Sequence, residues 1–437
     1  MKQLKFILFF LLLAGLHKSQ AQETKSLSMT QVDQITYQQY LKGDWDNLIE
    51  TAEKAKKEGI EFYFLDVRLG IAYYHKKRYR KAIKYLEKAY EKDPKNAVVA
   101  EYLYYAYIFG GRYMDAVRMS NDMYLSVKEK IGIPKNKFID EIGMDFKTEF
   151  PEDYRIDLYE GGLDQNVITD NKYLGFNLGN YYGKGNLLWI SVGFLSRDYT
   201  EYAYDNGLQT IENKNVTQNQ YFLAHYSQLS PGLNLGLSFN WLRISYEGVS
   251  FRRLGRNGRI IAVPATNTIN EFVGFAGLRK DVGDFKIGLT ASLSNIQDNL
   301  QVQPGLELYF YPLSNTDLYL FSTYNYKMEY IDDIRFDDDV IKAGVGFRLG
   351  KVYFEPSYTF GDIYNYVESD GLVVYNDAEK ISDRFELMSY GFFFKGRLKL
   401  YAKYQNYTKT NYFSLNGEQS EINYNNQTIT TGILWKF

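Results

Sequence analysis

Thr430-Thr431-Gly432-Ile433-Leu434-Trp435-Lys436-Phe437, the last eight of 437 residues, decide the fold. Ile433, Trp435 and Phe437 fall at every second place. A period of two is the mark of a strand with one apolar face. A strand that ends a chain can still close a barrel, because both its edges find neighbours. The alternative is an ordinary terminal strand of a soluble sandwich, so the rest of the chain must decide.

The same period runs from 142 to 437. Over residues 284–294, Phe285, Ile287, Leu289, Ala291 and Leu293 take one face and Lys286, Gly288, Thr290, Ser292 and Ser294 the other. The pattern returns at Leu233, Leu235, Leu237, Phe239 and Trp241, and at Ile341, Ala343, Val345, Phe347 and Leu349. Turns alternate in length. Residues 183–186, 230–232, 281–284, 312–316, 350–351 and 395–396 read as short turns. Residues 200–216, 248–268, 331–338, 367–383 and 412–425 read as longer loops, with a tight exception at 297–299. Short turns at one end and longer loops at the other are the pattern of a transmembrane barrel, whereas sandwiches use Greek-key crossovers. The turns predict about 14 strands, range about 12–16. The first strand is either 142–150 or 154–162. Pro304 and Pro356 sit inside strands and predict bulges or rim positions, since proline lacks a donor.

The terminal string resembles the recognition signal of bacterial outer-membrane barrels, polar-x-Gly-x-x-apolar-x-aromatic. Thr430, Gly432, Trp435 and Phe437 fill it. The resemblance implies that the barrel assembly machinery reads this last strand. The opening of the chain fits export. Lys2 and Lys5 precede an apolar run over 6–16, and Ser19-Gln20-Ala21 is a small-x-small cleavage pattern, which predicts a signal peptide over 1–21. The run is too short to span a bilayer as a helix; a short N-terminal anchor is the alternative. No Cys follows it, so it is not a lipoprotein leader.

The absence of Cys removes disulfides and thiol chemistry. A net charge of −2 gives no footing for nucleic acid. Tyr 42 and Phe 29 put aromatics at 17% of the chain, which suits the two interfacial girdles of a barrel. Mean hydropathy is −0.39, and no apolar run after the leader is long enough for a membrane helix. Alternating strands leave mean hydropathy low, so a barrel stays open.

Residues 29–130 read as helices. Leu69, Gly70, Tyr73, Tyr79, Ala82, Leu86, Ala89 and Pro94 fall at the spacings of a tetratricopeptide unit. Gly70 and Ala82 let the two helices approach, Ala89 admits the next helix, and Pro94 stops the second. Moving 34 residues on gives Leu103, Tyr107, Tyr113 and Ala116; moving 34 back gives Trp45, Leu48, Ala52 and Ala55. Three units, the outer two degenerate, suit a short capped solenoid; a generic helical bundle is the alternative. Resemblance to the tetratricopeptide family implies a groove for a periplasmic protein or peptide. Tyr102, Tyr104, Tyr105 and Tyr107 crowd one helix, where they line that groove, touch the barrel or pack between repeats. Residues 131–141 read as the linker and 142–437 as the barrel. The fold class is α + β multidomain, a short tetratricopeptide α-solenoid before an antiparallel transmembrane β-barrel.

A leader, a few such units and a barrel ending in Phe437 together resemble the YaiO-type outer-membrane β-barrel family. That resemblance implies location more than activity: the outer membrane, with the N-terminal domain in the periplasm and lipid around the barrel. A looser likeness links the chain to exopolysaccharide exporters, whose arrays are much longer.

Catalytic and metal chemistry finds little support. His17 leaves with the leader, and His75 sits in a helix turn. His225 has Ser227 two places on, as in outer-membrane phospholipases that carry Ser, His and Asn, but no spacing completes a triad. Protease-type barrels place Asp and His at the rim, and no glycine-rich phosphate loop opens a helix. Asp332, Asp333, Asp337, Asp338 and Asp339 read as a solvated acidic loop or, less simply, a calcium site. Arg252, Arg253, Arg256 and Arg259 read as a basic loop at the same surface, suited to lipopolysaccharide phosphates or to the acidic loop. On the polar strand face stand Arg197, Lys286, Glu307, Lys327, Glu329, Lys342, Arg348, Glu355, Lys399 and Lys403. Charges facing lipid cost about 2–4 kcal/mol at mid-depth, so these are assigned to the lumen. They line a channel, or pair and plug it, with pairing favoured for most. No cofactor or metal is predicted. The expected function is a non-catalytic envelope scaffold; a polysaccharide or small-solute channel comes second, and a lipid-modifying or proteolytic enzyme third.

Overall fold

The computed structural model describes residues 27–133, 139–156, 162–205, 208–254, 259–332, 334–376 and 379–437, with the backbone alone at 205, 249–254 and 259–264. The expected leader lies outside them, as do Pro134 of the linker, Arg256 and Asp333.

Seven helices come first among the described residues: α1 (Met29–Lys42), α2 (Trp45–Lys57), α3 (Tyr63–His75), α4 (Tyr79–Lys92), α5 (Ala97–Phe109), α6 (Tyr113–Asp122) and α7 (Leu125–Ile131). Local chemistry sets their ends. Ser28 and Gln31 form a capping box ahead of α1, and Gly43 closes it at φ 67. Asn96 caps α5 by accepting from the Val98 and Val99 amides. The helices pack as pairs. A Cβ on Gly70 would stand 2.6 Å from the Leu86 side chain, so only glycine lets α3 and α4 meet this closely. Ala82 and Ala89 are fully buried, and so are Leu48, Ala52 and Ala116 of the flanking units.

The rest is a closed antiparallel barrel of 14 strands. They are β1 (Glu141–Pro151), β2 (Leu163–Tyr182), β3 (Asn186–Asp205), β4 (Leu208–Ser230), β5 (Leu233–Leu254), β6 (Arg259–Val282), β7 (Phe285–Ser294), β8 (Leu300–Phe310), β9 (Leu318–Ile331), β10 (Ile334–Leu349), β11 (Val352–Gly361), β14 (Lys380–Phe393), β15 (Leu398–Leu415) and β16 (Glu418–Lys436). A small hairpin of β12 (Tyr366–Glu368) and β13 (Val373–Tyr375) forms a separate sheet. The barrel closes where β16 pairs with β1, from Glu141↔Lys436 to Pro151↔Asn426. The first strand is therefore the 142–150 candidate. Tyr154, from the other candidate, lies outside any strand and stacks on Tyr424 at 3.8 Å.

Three expectations need correction. Most of the long outer loops are ladder: β3 and β4 pair out to Asp205↔Leu208, β5 and β6 to Leu254↔Arg259, and β15 and β16 to Leu415↔Glu418. Such strands exceed the roughly 9–11 residues that cross a bilayer. Beyond the apolar belt both faces meet water, so the alternation fades and the sequence imitates a loop. The prolines make no bulge. Opposite Pro304 and Pro356 the ladder skips two pairs on the side of the missing donor and resumes in register, mid-strand. The bulges fall between Ile168 and Asp170, Gln228 and Ser230, and Ile381 and Asp383. Finally, Asp337, Asp338 and Asp339 belong to β10. Asp337 pairs with Arg335, Asp338 lies 3.6 Å from Lys327, and Asp339 accepts from Tyr324.

The barrel is inside out. Phe285, Ile287, Leu289 and Leu293 are 44%, 43%, 61% and 56% exposed, while Ser292 and Ser294 on the other face are buried. An apolar belt of this kind around a closed sheet matches a lipid surround and not water.

Candidate functional site

The β12–β13 hairpin, from the connection between β11 and β14, enters the lumen. Two acidic side chains near its tip fix it to the wall. Glu368 meets Arg384 at 2.9 Å and Lys342 at 2.8 Å, and Lys342 also reaches Glu386 at 3.1 Å. Asp370 meets Arg279 at 2.5 Å, and Arg279 grips Glu307 with two donors at 2.7 and 2.8 Å. Arg384 is fully buried. Planar guanidinium suits these two-pronged contacts. Amides tie the backbone: Asn240 donates to the Gly371 carbonyl at 2.8 Å, and Gln303 both donates to Val367 O and accepts from Val367 N. Lys327 donates to Tyr364 O at 2.6 Å, and Asn365 donates to Glu329 at 2.8 Å.

The ten charges assigned to the lumen stand in different surroundings. Lys327, Glu329 and Lys342 hold the hairpin directly, and Glu307 holds it through Arg279. Glu355 accepts from the Tyr319 hydroxyl. Arg348 pairs with Asp317 at 2.9 Å at the short-turn rim. Lys286 lies over Tyr309 and Lys399 over Tyr390, at 5.9 and 4.8 Å. Lys403 is 3.9 Å from Glu386, and Arg197 lines a chamber beside the hairpin. Sequence reasoning missed Arg279, Arg384, Glu368 and Asp370. A signal was present: Val367 and Val373 flank Ser369-Asp370-Gly371, the pattern of a strand, a turn and a strand.

The far mouth is covered as well. Tyr154 and Tyr424 both donate to Glu379, and Lys409 pairs with Glu149 at 2.9 Å beneath them.

The helical unit sits on the other end, against the short turns. Arg80 of α4 is the keystone. Its guanidinium donates to Asp281, to the Gly283 and Phe285 carbonyls and to Gly110 O, at 2.7 to 2.9 Å, and lies 4.2 Å over the Tyr311 ring. The pair with Asp281 is buried, at 1% and 4% side-chain exposure. Asp115 of α6 accepts from Gln228 at 2.7 Å and from the Gly232 amide at 2.9 Å. Arg112 holds Asp115 in place. Burial works against the Arg112 charge, but hydrogen bonding to Asp115 and the charges of Asp115 and Glu87 outweigh it and raise its pKa. Asn315 donates to Lys77 O, Tyr113 packs edge-on to Tyr181, and Lys436 lies over Tyr113 at 4.7 Å. Of the four crowded tyrosines, Tyr107 is buried and donates to Glu87; burial, then that carboxylate, raises its pKa. Tyr102 packs on Tyr74 and His75, Tyr104 on Tyr105, and Tyr105 on Phe109.

His225 and Ser227 face outward and do not bond to each other. His225 pairs with the Tyr182 hydroxyl at 2.9 Å, and Ser227 donates to Asn186 at 2.7 Å. Among the described residues no group of three or more His, Asp or Glu is placed to hold a metal ion. The side chains of Arg252, Arg253 and Arg259 lie outside the described residues.

Fold and site define a class: a lipid-facing β-barrel with an occupied lumen and a helical-repeat cap. The tetratricopeptide repeat family matches residues 67–96, the α3–α4 pair. No curated protein matches the chain. Among solved structures, a Pseudomonas aeruginosa FadL homologue is similar at 8% identity and TM-score 0.44, over 68% of this chain and 90% of that one. The Pseudomonas putida toluene transporter TodX is similar at 9% identity and TM-score 0.41, over 68% and 89%. At these scores the likenesses carry no argument, and the barrel rests on its own register.

Proposed function

We propose that this chain is an outer-membrane protein of YaiO-type architecture, in which a closed, non-catalytic barrel anchors a tetratricopeptide unit on the periplasmic side. The unit recruits a periplasmic protein or peptide. One observation carries the reading: Arg80 is buried between helix and barrel turns, bonded to Asp281, Gly283 and Phe285 across that junction and to Gly110 within the helical unit. A repeat held this firmly is a fixture of the barrel, not a tethered domain. Exposed Tyr37 and Phe64 on α1 and α3, with Arg68 between them, give the unit an aromatic face away from Arg80.

Protease accessibility tests the orientation. Trypsin added to intact cells should spare residues 29–130, and trypsin added after the outer membrane is opened should reach them. Cleavage in intact cells would place the unit outside and end the proposal. A channel is the second reading. It is favoured by the ion pairs and amide contacts that join the hairpin to the wall, although Val367 also packs on Val273 and Ile296, and Tyr366 on Val340 and Ile363.

A further inference from the structure

Beside the hairpin is a cavity of about 460 Å³, bounded by β1, β3, β15 and β13. Among the described residues its lining carries Lys147, Arg197, Lys399, Lys403 and Lys409 with Asp145 and Glu149; Arg197 and Lys409 are engaged, which leaves Lys147, Lys399 and Lys403. Both carboxylates are already engaged. Glu149 accepts from Lys409 and Asn171, and Asp145 accepts from Asn177 and the Tyr401 hydroxyl. Lys399 rests over tyrosine rings, and Lys403 lies 3.9 Å from Glu386, which Lys342 holds more closely at 3.1 Å. The Lys147 side chain has no hydrogen bond or ion pair among the described residues, and the nearby Glu149 is already taken by Lys409. A shielded ammonium without a partner is costly, and a barrel keeps such groups where something compensates them. The remaining lining includes Trp189, Leu242, Leu372 and Val374.

We propose that this chamber binds an organic anion. Its carboxylate or phosphate head sits among Lys147, Lys399 and Lys403, with Arg197 beside them, and its apolar portion lies against Trp189, Leu372 and Val374. The volume is that of a small-ligand pocket. The inference does not depend on the anchoring role of the helical unit, and either can fail alone.

Hexyl phosphate is the probe. The full chain is refolded in its presence, so that access past the hairpin does not limit the result. Binding should change tryptophan emission, and Trp189→Phe should abolish the change. Hexyltrimethylammonium should not bind. Lys147→Gln with Lys399→Gln should raise the Kd at least ten-fold, while Lys286→Gln, outside the chamber, leaves it unchanged. A heat shift in electrophoretic mobility checks that each variant is a folded barrel. Dihexanoyl phosphatidic acid run alongside assigns the source, lipid or soluble, by which binds more tightly. The proposal is overturned if refolded protein gives no Trp189-dependent response. It is also overturned if the cationic probe binds equally, or if the folded double variant binds as before.

Discussion

The ring of Tyr401 lies on the bare backbone of Gly432. A Cβ there would stand 2.2 Å from the ring, and the Tyr401 hydroxyl donates to Asp145 on the strand beyond. Three adjacent strands, β15, β16 and β1, are thus laced at the seam where the barrel closes. Gly346 under Tyr319 and Gly193 under Tyr173 repeat the arrangement. The glycine of the terminal string therefore has a packing reason of its own. Gly432→Ala should overpack the seam and lower stability by about 1–3 kcal/mol. Thermal loss of the folded electrophoretic form measures this, and Tyr401→Ser in the same chain should restore most of it. A Gly432→Ala barrel as stable as wild type would leave the contact without weight.

Phe437 is a different case. It is 45% exposed on the lipid side, and its amide donates to Asp140 O at 2.9 Å. Deleting it removes at most about 3 kcal/mol of burial. The expected outcome is nevertheless failed insertion, seen as periplasmic accumulation and proteolysis. Lys436→Ala should insert normally, although it loses the 2.7 Å pair with Glu141 and the contact with Tyr113. Outer-membrane recovery of the Phe437 deletion at wild-type levels would reduce the string to an ordinary strand.

The hairpin makes the closed state testable. Wild-type protein in a planar bilayer should show no steady open steps. Lys342→Glu sets a third carboxylate beside Glu368 and Glu386, and Arg279→Ala frees Asp370. Together they should turn attraction into repulsion at both anchors and produce steady conductance. A silent double variant that is still a folded barrel would show that the amide contacts and the packing of Tyr366 and Val367 suffice to hold the hairpin.

What the sequence disclosed follows from how local the cause was. Periodicity in Phe285 to Leu293 and the close approach at Gly70 are nearest-neighbour effects, so the barrel and the repeat were legible. The partners of the lumen charges were not. Lys342 finds Glu368 through a connection whose path depends on the whole lumen, and Arg80 finds Asp281 across 201 residues of sequence. Nothing near either residue announces the other.

Arg80→Met should separate the helical unit from the barrel. It leaves Asp281 buried and unpaired, a loss of about 3–5 kcal/mol for a pair of this kind. Cleavage by protease between Ile133 and Asp140 should become faster, while the barrel keeps its heat-shifted mobility. Unchanged cleavage would mean that Asp115 and Asn315 suffice to hold the unit.

The last expectation concerns pH. His75 is stacked on Trp45 at 4.5 Å with nearly parallel rings, and its Nε2 faces the Tyr102 hydroxyl at 3.2 Å. Burial lowers its pKa from the ordinary 6.5. A histidine with a lowered folded pKa binds protons more readily when unfolded, so its contribution is complete above pH 6.5 and is lost as pH falls through the folded value. Glu101 and Lys130 are the charged pair near the Tyr102 side of the stack. The melting temperature of the helical unit, followed by Trp45 emission, should fall between pH 7 and pH 5. His75→Phe keeps a ring against Trp45 without the titration, so its melting temperature should change less over the same interval. Equal slopes for the two proteins would assign the pH dependence to other groups.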